Sequence, residues 1–262
     1  MSQFDAFARY YDADYGAVDD DLPFYRELAQ RTGGPVLEVM CGSGRLLLPL
    51  ARAGLRLAGV DVSGAMLSLA REQLAAAGLS ERVELLEADI RERAPRGPFG
   101  LAIVAINSFM HLANTDDQLA ALEQIHAALR LGGLLAIDLF NPDPRALAEQ
   151  HGALALDKRF TLADGTRVQK FVAQHVDMAA QLSHVTFIYD EIDAEGRVSR
   201  GTLPFTMRWL YRYELEHLLA RAGFALDGLY GSYELDDYSA ESELLLVVAR
   251  KSDEYSPVSS KQ

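Results

Sequence analysis

Cysteine is nearly missing from this 262-residue chain, which has Cys41 and no other. No intrachain disulfide can form, and a cysteine-built metal site is excluded. Long apolar runs are missing too. The longest clean run near the end is Leu244 to Ala249, far short of the ~18 residues a membrane span needs. Basic charge is scarce: 25 Lys and Arg against 38 Asp and Glu leave a formal charge of −13. Such a surface repels phosphate backbones and anionic headgroups, so neither nucleic acid nor a membrane is expected as a partner. The opening residues carry acids and no apolar stretch, which does not fit a secretory signal. Apolar residues make up 49% and charged residues 24%, the composition of a folded domain rather than a disordered chain. A soluble, cytoplasmic protein is expected.

What is present is an alternation. Between residues 34 and 140, short apolar runs (35–40, 55–60, 83–88, 101–106 and 134–140) alternate with segments of helical spacing. Leu46, Leu47 and Leu50 share one helical face within 43–53. Ser63 can cap a helix that turns Met66, Leu69, Ala70 and Leu74 inward. Thr115 to Gln118 reads as a capping box, with Gly132-Gly133 as the stop after that helix. Strands alternating with helices imply right-handed crossovers and a doubly wound, mostly parallel sheet.

After Pro142 and Pro144 the pattern changes. Two hairpins are expected, around Asp164-Gly165 and Glu195-Gly196. Phe187 and Tyr189 share one face; Phe205, Met207 and Trp209 share another. Leu215, Leu218, Leu219 and Ala222 then mark a helix that Gly223 stops, followed by two last strands. The fold class is therefore α/β, with an antiparallel β insert between the fifth strand and the last helix. Residues 1–33 form an N-terminal helical segment. Residues 34–141 and 211–250 form the α/β domain, 142–210 the insert, and 251–262 a disordered tail.

The sharpest motif is VLEVMCGSGRL, residues 36–46, a strand running into a glycine turn and a helix. Gly42 and Gly44 let the backbone turn tightly and a ligand lie against it. Nineteen residues past Gly42, Asp61 ends the second strand, where an acid can accept both hydroxyls of an adenosine ribose. That spacing also fits a nicotinamide dinucleotide, and a nicotinamide-dependent reductase is one reading. Against it, the dinucleotide pattern wants a third small residue where this chain has Leu47. Glu38 before the turn would also repel a pyrophosphate; it suits a ligand with a positive end, such as a sulfonium with an α-amino group. Asp89, ending the third strand, can accept from an adenine amino group while Ile90 packs on the ring. Cys41 reads as a small turn residue or as a thiol activated at a helix N-terminus.

Glu38, the Gly42/Gly44 turn, Asp61 and Asp89, in that order, resemble the class I S-adenosylmethionine-dependent methyltransferases over residues 34–140 and 224–250. The resemblance implies a seven-stranded sheet closed by an antiparallel hairpin. S-adenosylmethionine is then the cofactor and S-adenosylhomocysteine the product. Glu38 would lie beside the methionine part, Asp61 on the ribose, and Asp89-Ile90 at the adenine. The implied cofactor set also takes in Met40, Arg45, Val62, Met66, Ala88, Ile106, Asn107 and Ser108. The loop INSFMHL, residues 106–112, resembles the matching segment of glycine N-methyltransferases. YYDADYG, residues 10–16, resembles the tyrosine-bearing lid of that group and of amino-sugar N,N-dimethyltransferases, which are commonly dimers.

These resemblances imply methyl transfer to a small molecule, at nitrogen first and at oxygen or carbon otherwise. A non-catalytic S-adenosylmethionine binder is the reading from another class. His111 is the candidate base, or else a cofactor contact; Tyr10, Tyr11 and Tyr15 could orient the acceptor or cover the cofactor, Tyr11 with the strongest claim. Arg208, Trp209, Tyr211 and Arg212 line an acceptor pocket or simply form a half-buried strand and a helix start. His175 and His184 read as ordinary sheet residues. Asp19 to Asp21 and Asp236-Asp237 read as solvated turns rather than metal ligands, and no metal is expected. The insert makes a homodimer plausible.

Overall fold

The computed structural model describes residues 3–16 and 18–252. Its center is a seven-stranded sheet. Strands β1 (Val36–Val39), β2 (Leu57–Asp61), β3 (Val83–Glu87), β4 (Phe99–Val104) and β5 (Leu129–Phe140) run parallel. Two late strands, β10 (Phe224–Tyr230) and β11 (Leu244–Lys251), close the sheet, with β11 antiparallel to both of its neighbours. The order across the sheet is β10-β11-β5-β4-β1-β2-β3. The order in which strands are added reverses between β1 and β4, and ligands of such sheets sit at the carboxyl ends of the strands there.

Both faces are covered, which is why β1 and β4 are apolar almost without alternation and buried along their whole length. One face packs on α5 (Thr115–Ala128) and α7 (Arg212–Arg221), where Leu122, Ile125, Leu215 and Leu219 meet Leu37, Ala102 and Ile137. The other packs on α2 (Leu22–Thr32), α3 (Leu47–Arg52) and α4 (Gly64–Ala76), through Tyr25, Leu28, Leu50 and Leu67. No helix among the described residues is long and apolar enough to cross a membrane.

Several expectations shift. The cap of α5 is Asn114, one residue earlier than expected, and its side chain accepts from the Asp117 N–H at 2.9 Å. Gly132-Gly133 does not stop that helix. Ala128 ends it, and the glycines lie inside β5, with φ of 68° at Gly132. Helix α3 begins only at Leu47, so the residues straight after the glycine turn are not yet helical. A helix that was not expected, α6 (Pro144–Gln150), follows the fifth strand. Pro144 opens it and the Asp143 carboxylate caps it, accepting from the Arg145 N–H at 2.8 Å.

The insert is a four-stranded antiparallel sheet: β6 (Leu154–Thr161), β7 (Arg167–Asp177), β8 (Leu182–Ile192) and β9 (Val198–Arg208), in that order. Its turns fall at the two expected glycines, Gly165 and Gly196, both at positive φ. The register pairs Val185 with Phe205 and Phe187 with Leu203. The two aromatic stripes of β8 and β9 thus form one face rather than two, with Phe187 and Phe205 edge to face at 4.8 Å. Residue 251, placed in the tail by the sequence, ends β11. The rest of the expected tail, 253–262, lies outside the described residues.

Candidate active site

The site begins where β1 stops. Met40 and Gly42 both take positive φ, 56° and 54°, and this reverses the chain at the rim of the sheet. A Cβ on Gly42 would stand 3.4 Å from Met66 Cε and 3.6 Å from Tyr11 Cζ. Gly44 does a different job. A Cβ there would meet the Ala70 Cβ at 3.3 Å, so Gly44 lets the turn pack on α4 and, contrary to expectation, does not line the cavity.

Asp61 ties the turn to the next strand. Its carboxylate accepts the Gly42 N–H at 2.9 Å and the Ser63 N–H at 2.8 Å, and each oxygen keeps a lone pair for a further donor. Burial pushes this carboxyl up from its ordinary value while those backbone donors oppose the rise. Ser63 caps α4 as expected, with Oγ accepting from the Met66 N–H at 3.2 Å. Glu38 is 5% exposed, and its Oε2 has no hydrogen-bond partner. Burial pushes the Glu38 carboxyl up to about 8, against the pull of Arg45.

Arg45 itself is committed. Its guanidinium grips Asp21 at 2.5 and 2.7 Å and donates to the Val18 carbonyl at 2.8 Å. Asp21 is therefore not a solvated turn residue; it is fully buried. At the third strand, Ala88, Asp89 and Ile90 all line the cavity, and Arg91 holds the Asp89 carboxyl below its ordinary value.

Beyond β4, Ile106 and Asn107 occupy left-handed backbone, φ 48° and 57°. Such a pair costs free energy for non-glycine residues; Asp138 offsets it. This carboxylate, inside otherwise apolar β5, accepts the Asn107 N–H at 3.1 Å and the hydroxyls of Tyr25 and Tyr233 at 2.6 and 2.8 Å. The Asn107 side chain answers by accepting from the Phe140 N–H at 2.6 Å. Ser108 then opens a short 3-10 turn ending at His111, and its hydroxyl donates to the Ala105 carbonyl at 2.6 Å. His111 hydrogen-bonds the Thr206 backbone, its Nδ1 is buried without a partner, and burial lowers it to about 4. Its ring lies edge-on to Phe4 at 5.1 Å and Phe205 at 5.4 Å.

Helix α1 (Ala8–Tyr15) lies across this rim. Asp12 accepts from Ser43 at 2.7 Å and from Gln73 at 2.8 Å, and Asp5 accepts from Ser63 at 2.7 Å. On the other side Asp14 is buried against Lys170 at 2.7 Å and Lys158 at 3.0 Å. Tyr11 and Tyr15 line the cavity, their phenols pushed up by burial. Tyr10 instead stacks on Tyr189 at 4.0 Å and donates to Glu191 at 2.9 Å.

Together these elements enclose a cavity of about 490 Å³. Fifteen of the sequence-selected residues border it, from Tyr11 and Glu38 through Met40, Gly42, Arg45, Asp61, Val62 and Met66 to Ala88, Asp89, Ile90, Ile106, Asn107, Ser108 and His111. The insert supplies the opposite wall.

Residues 36–133 match a family model described as a methyltransferase domain. Over that segment the chain is similar to the class I S-adenosylmethionine-dependent methyltransferases. The Cypemycin N-terminal methyltransferase of a Streptomyces species is 26% identical over 219 residues, 84% of either chain. The CcbJ methyltransferase from Streptomyces caelestis superposes with a TM-score of 0.74 and 25% identity, covering 88% of this chain and 96% of that one. The sugar N-methyltransferase KedS8 from Streptoalloteichus sp ATCC 53650 shares the fold, with a TM-score of 0.73 and 22% identity over 95% and 93%.

S-adenosylmethionine is the cofactor of this methyltransferase, and the residues present suit it. An unpartnered buried carboxylate oxygen on Glu38 calls for a cationic donor, and a turn without a Cβ at Gly42 leaves the cavity open beside it. Other candidates are committed elsewhere or only pack against the cavity. Arg208 is paired with Glu214 at 2.5 Å and Arg212 with Glu216 at 2.8 Å, while Tyr211 is exposed; only Trp209 of that cluster lines it. Cys41 is buried with its thiol pushed up, so it is a packing residue of the turn and not an activated thiolate. His175 and His184 face each other across β7 and β8 on exposed backbone positions. Among the described residues no group of three or more His, Cys, Asp or Glu could hold a metal.

Sequence reasoning missed Asp138, although a lone acid in the run LLAIDLF was a signal, since a buried carboxylate must find donors. It also missed Gln150, Gln174 and Ser183, which line the cavity from α6 and the insert. Nothing in their spacing marks them.

Proposed function

We propose that this methyltransferase methylates a nitrogen of a small molecule, with Tyr11 and His111 orienting the acceptor and the sheet rim binding the cofactor. The observation that carries it is the burial of His111, whose ring is packed edge-on to Phe4 and Phe205 with Nδ1 unpartnered. Such burial favours the neutral imidazole and lowers it from its ordinary value to about 4. A base that weak is poorly matched to an alcohol or phenol, which needs help losing its proton. A neutral amine already has its lone pair and needs only to be aimed. The unpartnered Nδ1 of His111 is the acceptor we assign to an amine N–H.

S-adenosylmethionine supplies the methyl group as a sulfonium electrophile. The chain's own part is alignment and exclusion of water. Asp61 and Asp89 present carboxylates along one wall, Glu38 joins them once a cationic ligand displaces its proton, and Tyr11, Tyr15 and Phe7 line the cavity from the N-terminal segment. Residues 1–33 serve as a lid and 142–210 as the acceptor-binding and dimer-forming unit of a cytoplasmic homodimer. The name of the Streptomyces relative, an N-terminal methyltransferase, supports nitrogen as the site of transfer. Incubation with labelled S-adenosylmethionine and a panel of amines, alcohols and phenols tests the reading by mass spectrometry. Methylated amines are expected; products methylated only on oxygen would overturn it.

A further inference from the structure

The turn that carries His111 is held at both ends by buried side chains from elsewhere in the fold. At its start, Asp138 accepts the Asn107 N–H at 3.1 Å. At its end, the Leu112 carbonyl, one residue past His111, accepts from Gln118 Nε2 at 3.0 Å. Gln118 lies in the first turn of α5 and is fully buried. Its Oε1 accepts from Arg208 Nη1 at 3.0 Å. Arg208 is the last residue of β9, the insert strand that also sets Phe205 and the Thr206 backbone against the His111 ring.

The chemistry of these groups fixes how they are arranged. A guanidinium only donates and a backbone carbonyl only accepts. Gln118 must therefore turn Oε1 to Arg208 and Nε2 to Leu112. An amide rotated by half a turn would set oxygen against oxygen at one end and donor against donor at the other. Arg208 is held in its own turn: Nη2 pairs with Glu214 of α7 at 2.5 Å, and Nη1 also reaches Thr115 Oγ1 at 3.5 Å. The other Glu214 oxygen accepts at 2.9 Å from Gln181, in the turn between β7 and β8. The Arg208 side chain is 13% exposed and does not line the cavity, so its influence on the reaction passes through Gln118.

We infer that Arg208 is a positioning residue of the methyl transfer: it locks the Gln118 amide, which holds the end of the His111 turn beside the acceptor. This rests on the place given to His111 above and adds what keeps the imidazole there. The insert is thereby joined to the loop after β4, and a shift of β9 carries the His111 turn with it.

The test compares Arg208→Met, which keeps the stem and removes the donors, with Gln118→Glu, which keeps an acceptor for Arg208 and removes the donor to Leu112. Arg212→Met is the control, since it breaks the Arg212–Glu216 pair nearby and leaves Gln118 alone. Nuclear magnetic resonance of isotopically labelled histidine in the full chain, with His111→Asn to assign the signal, reads the two ring nitrogens of His111. In wild type their shifts are expected to be well separated, as one fixed neutral tautomer requires. In Arg208→Met and Gln118→Glu they are expected to converge as the ring exchanges tautomers, and in Arg212→Met to stay apart. Averaged shifts already in wild type, wild-type shifts in either of the first two variants, or convergence in the control would overturn the inference. Labelled methyl transfer to the amine panel and calorimetric binding of S-adenosylhomocysteine are read on the same proteins. Transfer is expected to fall about tenfold or more in Arg208→Met and Gln118→Glu, with S-adenosylhomocysteine affinity within twofold of wild type. Full transfer by either variant, or a loss of affinity as large as the loss of transfer, would overturn the positioning role. Products methylated only on oxygen would end the nitrogen reading and leave Arg208 to be decided by the imidazole shifts.

Discussion

Glu38 and His111 are both buried away from their ordinary ionisation, in opposite senses, and each leaves a measurable signature. The Glu38 carboxyl is held up at about 8 against 4.5 for the free group. Between those values the folded chain keeps a proton that the unfolded chain has released, so this residue lowers stability as pH rises from about 4.5 to 8. A cationic ligand beside it reverses the preference. Binding S-adenosylmethionine near pH 7 should therefore release a proton, visible as a dependence of the calorimetric heat on buffer ionisation enthalpy. Glu38→Gln should bind without that dependence; an unchanged buffer effect would remove Glu38 from the cofactor contact. His111 runs the other way. Its folded value of about 4 lies below the ordinary 6.5, so its contribution is complete above 6.5 and fades as pH falls toward 4. A group that only orients the acceptor predicts about a tenfold loss in kcat/KM for His111→Asn, rather than the ~10²–10⁴ of a lost general base. The wild-type profile should show no inflection near 6.5.

At the scale of elements, the loop after β4 stands on Asp138. Replacing it by Leu would strand two tyrosine hydroxyls and the Asn107 N–H. At roughly 1–3 kcal/mol for each unpaired buried group, denaturant melts should show a loss of about 3 kcal/mol or more, and Tyr25→Phe alone a smaller one. Helix α1 is tied to the insert by Asp14, buried against two lysines. Asp14→Asn should loosen it, raising KM for cofactor and speeding hydrogen exchange in residues 8–15; exchange confined to its wild-type rate would deny the tie. These anchors also show what the sequence conceals. The strands, the Ser63 cap, the hairpin glycines and the rim acids were legible because each follows a local rule of period, turn chemistry or capping. The β5 start, the Asn114 cap and the role of Gly44 were not. Tertiary packing chose the boundary in the first two cases, and in the third a glycine needed for ligand approach looks the same as one needed to seat the turn on Ala70. The insert's cavity-facing wall was legible least, because β8 and β9 alternate identically whichever way their register turns the aromatic face.

For the whole molecule, the acidic balance of 38 carboxylates against 25 cations and the acidic rim act in the same sense, drawing cations and turning anions away. Screening by salt should weaken S-adenosylmethionine binding modestly, since the rim carboxylates are buried and poorly screened. The central claim is that this rim holds a cationic adenosyl donor through Asp61 and Glu38. Titration of the purified chain with S-adenosylmethionine and, separately, with NAD tests it most directly, with Asp61→Ala alongside. One molecule of S-adenosylmethionine should bind per chain, NAD should not bind, and the variant should lose at least tenfold in affinity, as expected from charge-assisted bonds of roughly 1.5–3 kcal/mol. Tight NAD binding with none for S-adenosylmethionine, or an Asp61→Ala affinity equal to wild type, would contradict it.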